Sequence, residues 1–113
     1  MSYRSGTIDL TDTGMADALV DACGKDWRYV HDIDTWLRWD GTVWRRDKVG
    51  GIYIEARAVV EETMATVDSI TDDKARAKAH QAWTARQSTR ALEAQVRIAR
   101  VNPSIALLSE QLD

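Results

Sequence analysis

The chain has 113 residues, 15 of them basic and 18 acidic, for a formal net charge of −3, with five tryptophans and no phenylalanine. That length makes one domain with one core, and a mildly acidic total excludes a surface that is basic throughout. No apolar run is long enough to span a bilayer, the start of the chain lacks the basic-then-apolar order of a signal peptide, and the single cysteine, Cys23, excludes an internal disulfide or a cysteine-based zinc site, so a cytoplasmic protein is expected.

The first predicted helix runs from about Asp12 to Cys23. Thr11 or Thr13 caps it, Asp12 complements its positive end, and Met15, Ala18, Leu19 and Ala22 recur at helical spacing. Gly24 is well placed as the C′ stop, and Cys23 beside it reads as an inert, partly buried thiol. Trp27-Arg28-Tyr29-Val30 has strand composition, and His31-Asp32-Ile33-Asp34 has the polar character of a turn.

Residues 36–46, WLRWDGTVWRR, follow as a β-hairpin. Asp40-Gly41 is a dipeptide that a two-residue type I′ turn prefers, and with that turn Trp39 pairs with Thr42, Arg38 with Val43, Leu37 with Trp44 and Trp36 with Arg45. One face then carries Leu37, Trp39, Thr42 and Trp44 for packing, and the other carries Trp36, Arg38, Val43 and Arg45. A third strand from residues 27–30 would support this hairpin, since two strands alone are marginal in water.

After a glycine-marked loop at residues 47–51, a long amphipathic helix is expected. Ile52, Ala56, Val59, Val60, Thr63, Val67 and Ile70 share one of its faces, and Glu55, Arg57, Glu61 and Glu62 lie away from it. Residues 69–73 form a turn in which Thr71 or Asp72 caps a third helix through Ala75, Ala79, Ala82 and Trp83. Around Arg86-Gln87-Ser88 the apolar register weakens, and the pattern allows either one continuous helix or a fourth helix capped by Ser88 or Thr89 with Leu92, Val96 and Ala99 inward. Asn102-Pro103 ends it, and Ser104 caps a short final segment with Ile105, Leu107 and Leu108. The chain closes on apolar residues without a polar tail, as a piece of a longer polypeptide or a short protein would.

The expected fold is therefore α+β and mainly α-helical, with four or five helices and a small antiparallel hairpin or three-stranded sheet, in one domain over 1–113. The apolar faces of residues 15–22, 52–70 and 75–99 supply the core, with Trp39, Trp44 and Trp83 as its large members. Trp27 and Trp36 have the weakest claim to it.

Catalytic chemistry finds little to use. Gly41, Gly50 and Gly51 precede no Lys-Ser/Thr pair, so no phosphate cradle of the P-loop kind forms and the chain has no ATPase of its own. His31, Asp32 and Asp34 put an imidazole near two carboxylates, which a polar turn explains more simply than a metal or acid–base site. His80 stands alone on a helix surface, and no serine or threonine has a recognisable base. Trp36, Arg38, Arg45 and Arg46, extended by Arg28 and Lys48, are the candidate DNA contacts, because arginine forks onto phosphate oxygens and an exposed ring stacks on a base. The competing reading packs Trp36 into the fold and pairs the arginines with Asp32, Asp34, Asp40 or Asp47. From Lys74 onward basic residues outnumber acidic ones, which permits a second basic face, although charged helix surfaces are as often only solvated.

These stretches resemble the N-terminal helical domain that precedes the superfamily-three helicase in phage and plasmid primase-helicases, a family shared by satellite-phage replication proteins and the poxvirus primase-helicase. The resemblance rests on residues 11–16 (TDTGMA), 28–30 (RYV), Trp36-Leu37-Arg38-Trp39-Asp40-Gly41 with Trp44, Asp47, Ser88 and residues 102–105 (NPSI), and covers nearly the whole chain. Met15 departs from the small polar residue usual in the family. What the resemblance implies is a non-catalytic accessory domain, monomeric when isolated, in the cytoplasm of a bacterial host. It would contact single-stranded or forked DNA and help load or position a helicase. Primase and helicase domains of the parent protein are its implied partners, and ATP and Mg2+ belong to the helicase domain, so no catalytic residue carries over to this chain. The alternative is a protein–protein interaction or oligomerisation domain that touches no nucleic acid, and a third possibility is a small stand-alone phage protein.

Overall fold

The computed structural model describes residues 3–4 and 7–112, with side chains described from residue 9 to residue 111. Two short strands, β1 (Tyr3–Arg4) and β2 (Thr7–Ile8), pair antiparallel ahead of α1 (Asp12–Cys23). Then come β3 (Trp27–Val30), a 3-10 turn (His31–Ile33), β4 (Thr35–Trp39) and β5 (Trp44–Arg46). The helices α2 (Gly51–Glu62), α3 (Met64–Asp68), α4 (Asp73–Ala85) and α5 (Thr89–Ala99) follow, before β6 (Ala106–Leu107) and a last 3-10 turn (Ser109–Leu112). The class is α+β, mainly helical.

The main sheet has the order β5-β4-β3-β6, antiparallel except where β6 runs parallel to β3. It is thus one strand wider than expected, because the segment after Pro103 returns as a strand and not as a capped helical end. The Asn102 carbonyl accepts from the amides of Ile105 and Ala106, both at 2.9 Å, and this tight turn aims Ile105 into the core.

Residues facing each other as Cα partners lie on the same side of a sheet. Trp27 opposes Arg38 and Tyr29 opposes Trp36, so Trp27, Tyr29 and Trp36 share one face. Their rings meet edge-on, Trp36 lying 6.2 Å from Trp27 and 5.2 Å from Tyr29 between centroids. Over them pack α1, α2 and α5, which contribute Met15, Leu19, Ile52, Ala56, Val60, Val96 and Ala99 to one cluster.

The tryptophans are therefore distributed the other way round from the sequence expectation. Trp27 and Trp36 are buried, at 1% and 8% exposure, whereas Trp39 is 37% exposed and Trp44 is half-buried. Alternation along β4 does not set this. Its burial goes by position, with Trp36 and Leu37 both buried although they point to opposite faces, and Arg38 and Trp39 both exposed beyond them. The strand runs out past the helices, and its last two residues leave the core together.

The helices match in outline, apart from the second. Helix α1 has the expected bounds, with Thr11 accepting from the Gly14 amide at 3.0 Å and Gly24 ending it in right-handed geometry. The long second helix breaks after Glu62. The buried Thr63 hydroxyl donates to the Val60 carbonyl at 2.6 Å and the Trp83 indole donates to it at 2.7 Å, competing for the acceptor that a continuous helix would use in its next turn. Helices α4 and α5 are separate. Ser88 caps α5 through the Ala91 amide at 3.1 Å, as Asp72 caps α4 through the Ala75 amide at 2.8 Å.

Helix α4 was expected to supply core, yet none of its residues is buried. Its half-covered positions are Arg76, Ala79, His80 and Trp83, and the place beside α1 and α2 is taken by α5, which buries Ala91, Gln95, Val96 and Ala99. Trp83 is half-buried, and an ion pair from Arg86 to Asp12 joins the end of α4 to the start of α1.

The inversion of the tryptophans has a measurable consequence. Trp36→Ala should lower the unfolding free energy by about 3–5 kcal/mol, as expected for a large ring removed from a packed core, and Trp39→Ala by less than ~1.5 kcal/mol. Chemical denaturation followed by circular dichroism measures both, and equal losses would contradict the packing described.

Candidate nucleic-acid interface

Where β4 and β5 leave the helices, the hairpin tip is built by one carboxylate. Asp40 Oδ1 accepts from the amides of Thr42 and Val43, each at 2.8 Å, and the Asp40 amide donates to the Val43 carbonyl at 3.1 Å. Gly41 sits at φ +100°, a conformation that a side chain disfavours. The result is a four-residue turn over residues 40–43, with Trp39 opposite Trp44, Arg38 opposite Arg45 and Leu37 opposite Arg46. The register expected from a two-residue turn is thus displaced by two positions. A shift of two preserves the faces, so Arg38 and Arg45 still share one side and Trp39 and Trp44 the other. The physical cause is that Asp40 caps two turn amides with its side chain, which a type I′ turn does not need.

On the first side, Arg38 lies over the Trp27 ring at 5.5 Å and Arg45 pairs through Nε with Asp40 Oδ2. On the second side, the Trp39 and Trp44 rings meet at 5.4 Å and 60°, and the Arg28 guanidinium lies over Trp44 at 5.2 Å. The loop after β5 is anchored by another acid. Asp47 accepts from the amides of Gly51 at 2.8 Å and Ile52 at 3.0 Å, capping α2, while its own amide donates to the Trp36 carbonyl at 2.9 Å. Between hairpin and loop opens a cleft of about 590 Å³, whose walls include Arg38, Asp40, Arg45, Arg46, Asp47 and Lys48.

Four of the six sequence candidates, Arg38, Arg45, Arg46 and Lys48, thus come together, all exposed. Arg28 does not join them. It is half-buried, and its Nη1 donates to the Gly24 and Trp27 carbonyls, closing the end of α1. Trp36 is corrected outright as a stacking platform, because its ring is enclosed by Trp27, Tyr29 and the helices. The exposed aromatic among the residues lining the cleft is Trp39. Its place next to the Asp-Gly turn was the available signal, since the tip of a hairpin is the part that overhangs a core.

Of the acids expected to neutralise the arginines, Asp40 does pair with Arg45, whereas two are occupied elsewhere. Asp47 caps α2, and Asp32 accepts from the Ser109 amide at 2.8 Å and from its hydroxyl, tying the 3-10 turn after β3 to the one after β6. These bonds, the hydroxyl first, hold the Asp32 carboxyl below the ordinary range. His31 meets the Arg100 carbonyl at 2.8 Å, and His80 contacts Asp68 at 2.8 Å on the surface. The Cys23 thiol donates to the Leu19 carbonyl at 3.0 Å, and burial, followed by the charges of Glu55 and Asp26, pushes it up to about 12, so it stays neutral and unreactive.

The profile of one protein family, described as D5 N terminal like, matches residues 16–113 and so takes in the sheet, the hairpin and every cation around the cleft. The chain belongs to this family. The family is that of the N-terminal domain of phage and poxvirus D5-type primase-helicases, a domain that is not itself catalytic. No curated protein and no solved structure matches the chain. Among its described residues, no helix of this D5-type domain is long and apolar enough to cross a membrane.

The turn that shapes the cleft carries a pH signature. The Val43 amide, the Arg45 side chain and the Thr42 amide hold the Asp40 carboxyl down to about 2. Because the folded value lies below the unfolded one, near ~3.9, the folded state binds fewer protons between them. The contribution of Asp40 is therefore complete above about pH 4 and lost towards about pH 2. In thermal melts, the difference in midpoint between wild type and Asp40→Asn should be largest at neutral pH and close to nothing near pH 2. A difference that persists unchanged at pH 2 would contradict the turn geometry.

Proposed function

We propose that this D5-type domain is a non-catalytic accessory module of a longer phage or plasmid type primase-helicase. In this reading it contacts single-stranded or forked DNA at the hairpin tip and helps load or position the helicase in the host cytoplasm. The observation that carries the reading is the grouping of Arg38, Arg45, Arg46 and Lys48 around one open cleft, beside an exposed Trp39. Guanidinium and ammonium groups neutralise backbone phosphates irrespective of sequence, and an exposed indole offers any base a stacking surface. Such a contact tracks a strand without reading it, which suits a module that guides a moving helicase. ATP and Mg2+ belong, on this proposal, to the helicase domain.

A second reading, docking of a protein partner with no DNA contact, draws on exposed apolar side chains, of which Val49 lines the same cleft. Val49 is 85% exposed and Ile54 67% exposed, with Tyr53 between them at the start of α2.

Fluorescence anisotropy with labelled single-stranded and forked DNA separates the two. A domain making about three phosphate contacts to a single strand should show a log–log salt slope near −2, a loss of about tenfold to twentyfold in affinity from ~50 to ~200 mM salt. Replacing Arg38 and Arg45 together by alanine should flatten that slope and leave the circular dichroism spectrum unchanged. Absence of binding by the folded chain at low salt would favour the docking reading, which light scattering of mixtures with the helicase domain then tests.

A further inference from the structure

The rung that pairs Arg38 with Arg45 is where the hairpin departs from what folding alone favours. Like charges directly opposite one another on an antiparallel pair are destabilising, and these two arginines are such partners. Both are nevertheless held in place, by different devices. The Arg38 head group lies over the Trp27 ring at 5.5 Å, and Arg45 is bonded through Nε to Asp40 Oδ2.

Asp40 cannot follow a ligand away from this position. Its other oxygen, Oδ1, accepts from the Thr42 and Val43 amides at 2.8 Å each, so the carboxylate is a fixed part of the turn. A guanidinium carries five N–H donors, and engagement of Nε leaves the four on the two Nη nitrogens in a plane that Asp40 sets. A phosphate oxygen pair suits that planar edge as a fork.

We propose that the Arg38–Arg45 rung is the phosphate-binding fork of the domain, seating one phosphodiester of a DNA strand between the two guanidinium groups, with Asp40 as the positioning residue that holds Arg45 by Nε. The proposal rests on the hairpin being the DNA contact and adds a role that charge alone reverses. By simple repulsion, an acid beside the cleft weakens DNA binding; as a positioning residue it strengthens it. The carboxylate is ionised at every pH at which such binding is measured, so the support is permanent.

The test uses the intact chain and a fluorescein-labelled oligothymidylate at low salt, with three variants. Asp40→Asn keeps an oxygen for the turn amides and removes one negative charge; Arg45→Lys keeps the charge and removes the fork; Arg45→Ala provides the background for a double-mutant cycle. Asp40→Asn and Arg45→Lys should each weaken binding by about threefold to tenfold, and Asp40→Asn should produce no weakening once Arg45 is alanine. Wild-type binding that Asp40→Asn leaves equal or tighter, or that Arg45→Lys leaves unchanged, overturns the proposal, because charge then suffices. If Asp40→Asn disturbs the near-ultraviolet signal of the tryptophans, Arg45→Lys decides alone. Failure of the wild-type chain to bind at all overturns the DNA-contact reading itself, and the fork with it.

Discussion

The structure depends on the docking of β3 against β4, which brings Trp27, Tyr29 and Trp36 onto one face and interlocks their rings edge to face. Three aromatic side chains of that size bury a large apolar area, and edge-on contacts add to it beyond area alone. Helices α1, α2 and α5 close over this surface and over each other. The candidate interface is the unburied continuation of the same strands. Trp27 belongs to both parts, since its ring lies in the core cluster and also underlies the Arg38 guanidinium. The Trp39 amide, donating to the Asp26 carbonyl at 2.7 Å, extends the attachment of β4 to the segment before β3 up to the tip.

The chain carries a net charge of −3, and several of its acids serve as acceptors for backbone amides. Asp40 organises the hairpin turn, Asp47 caps α2, Asp72 caps α4 and Asp32 holds the last 3-10 turn. Each satisfies amide hydrogens that the ends of helices and turns would otherwise leave to water. Arg38, Arg46 and Lys48 are left facing solvent with no ion pair to an acid among the described residues. Net charge sums over groups with these different commitments, and so says little about what any one surface presents.

Membership of the D5 N-terminal-like family covers the sheet and the three-helix layer together, and this is the unit that holds the hairpin clear of the rest. The α3–α4 arm is constructed differently. It rests on the core through the Trp83–Val60 hydrogen bond and the Arg86–Asp12 ion pair, and α4 buries no residue of its own. The domain is elongated, measuring 52 × 26 × 21 Å along its principal axes.

Local chemistry was legible in the amino-acid sequence. The bounds of α1, the strand at residues 27–30 and a turn at Asp40-Gly41 follow from interactions within a few residues, and the same local chemistry narrowed each cap to two nearby candidates, of which the structure takes Thr11, Asp72 and Ser88. The four cations of the cleft were legible for the same reason, since they lie on one hairpin and the loop that follows it. The register of the hairpin was not, because an aspartate that caps its own turn and one that only occupies a two-residue turn have the same letter. Nor was the choice of buried tryptophans. Alternation states which residues share a face, but burial along β4 is decided by where the helices lie, and that depends on residues such as Trp83 and Ile105 meeting partners far away in the chain. Tertiary packing alone placed Trp36 inside and Trp39 outside, because only the assembled helices define which part of the strand is covered.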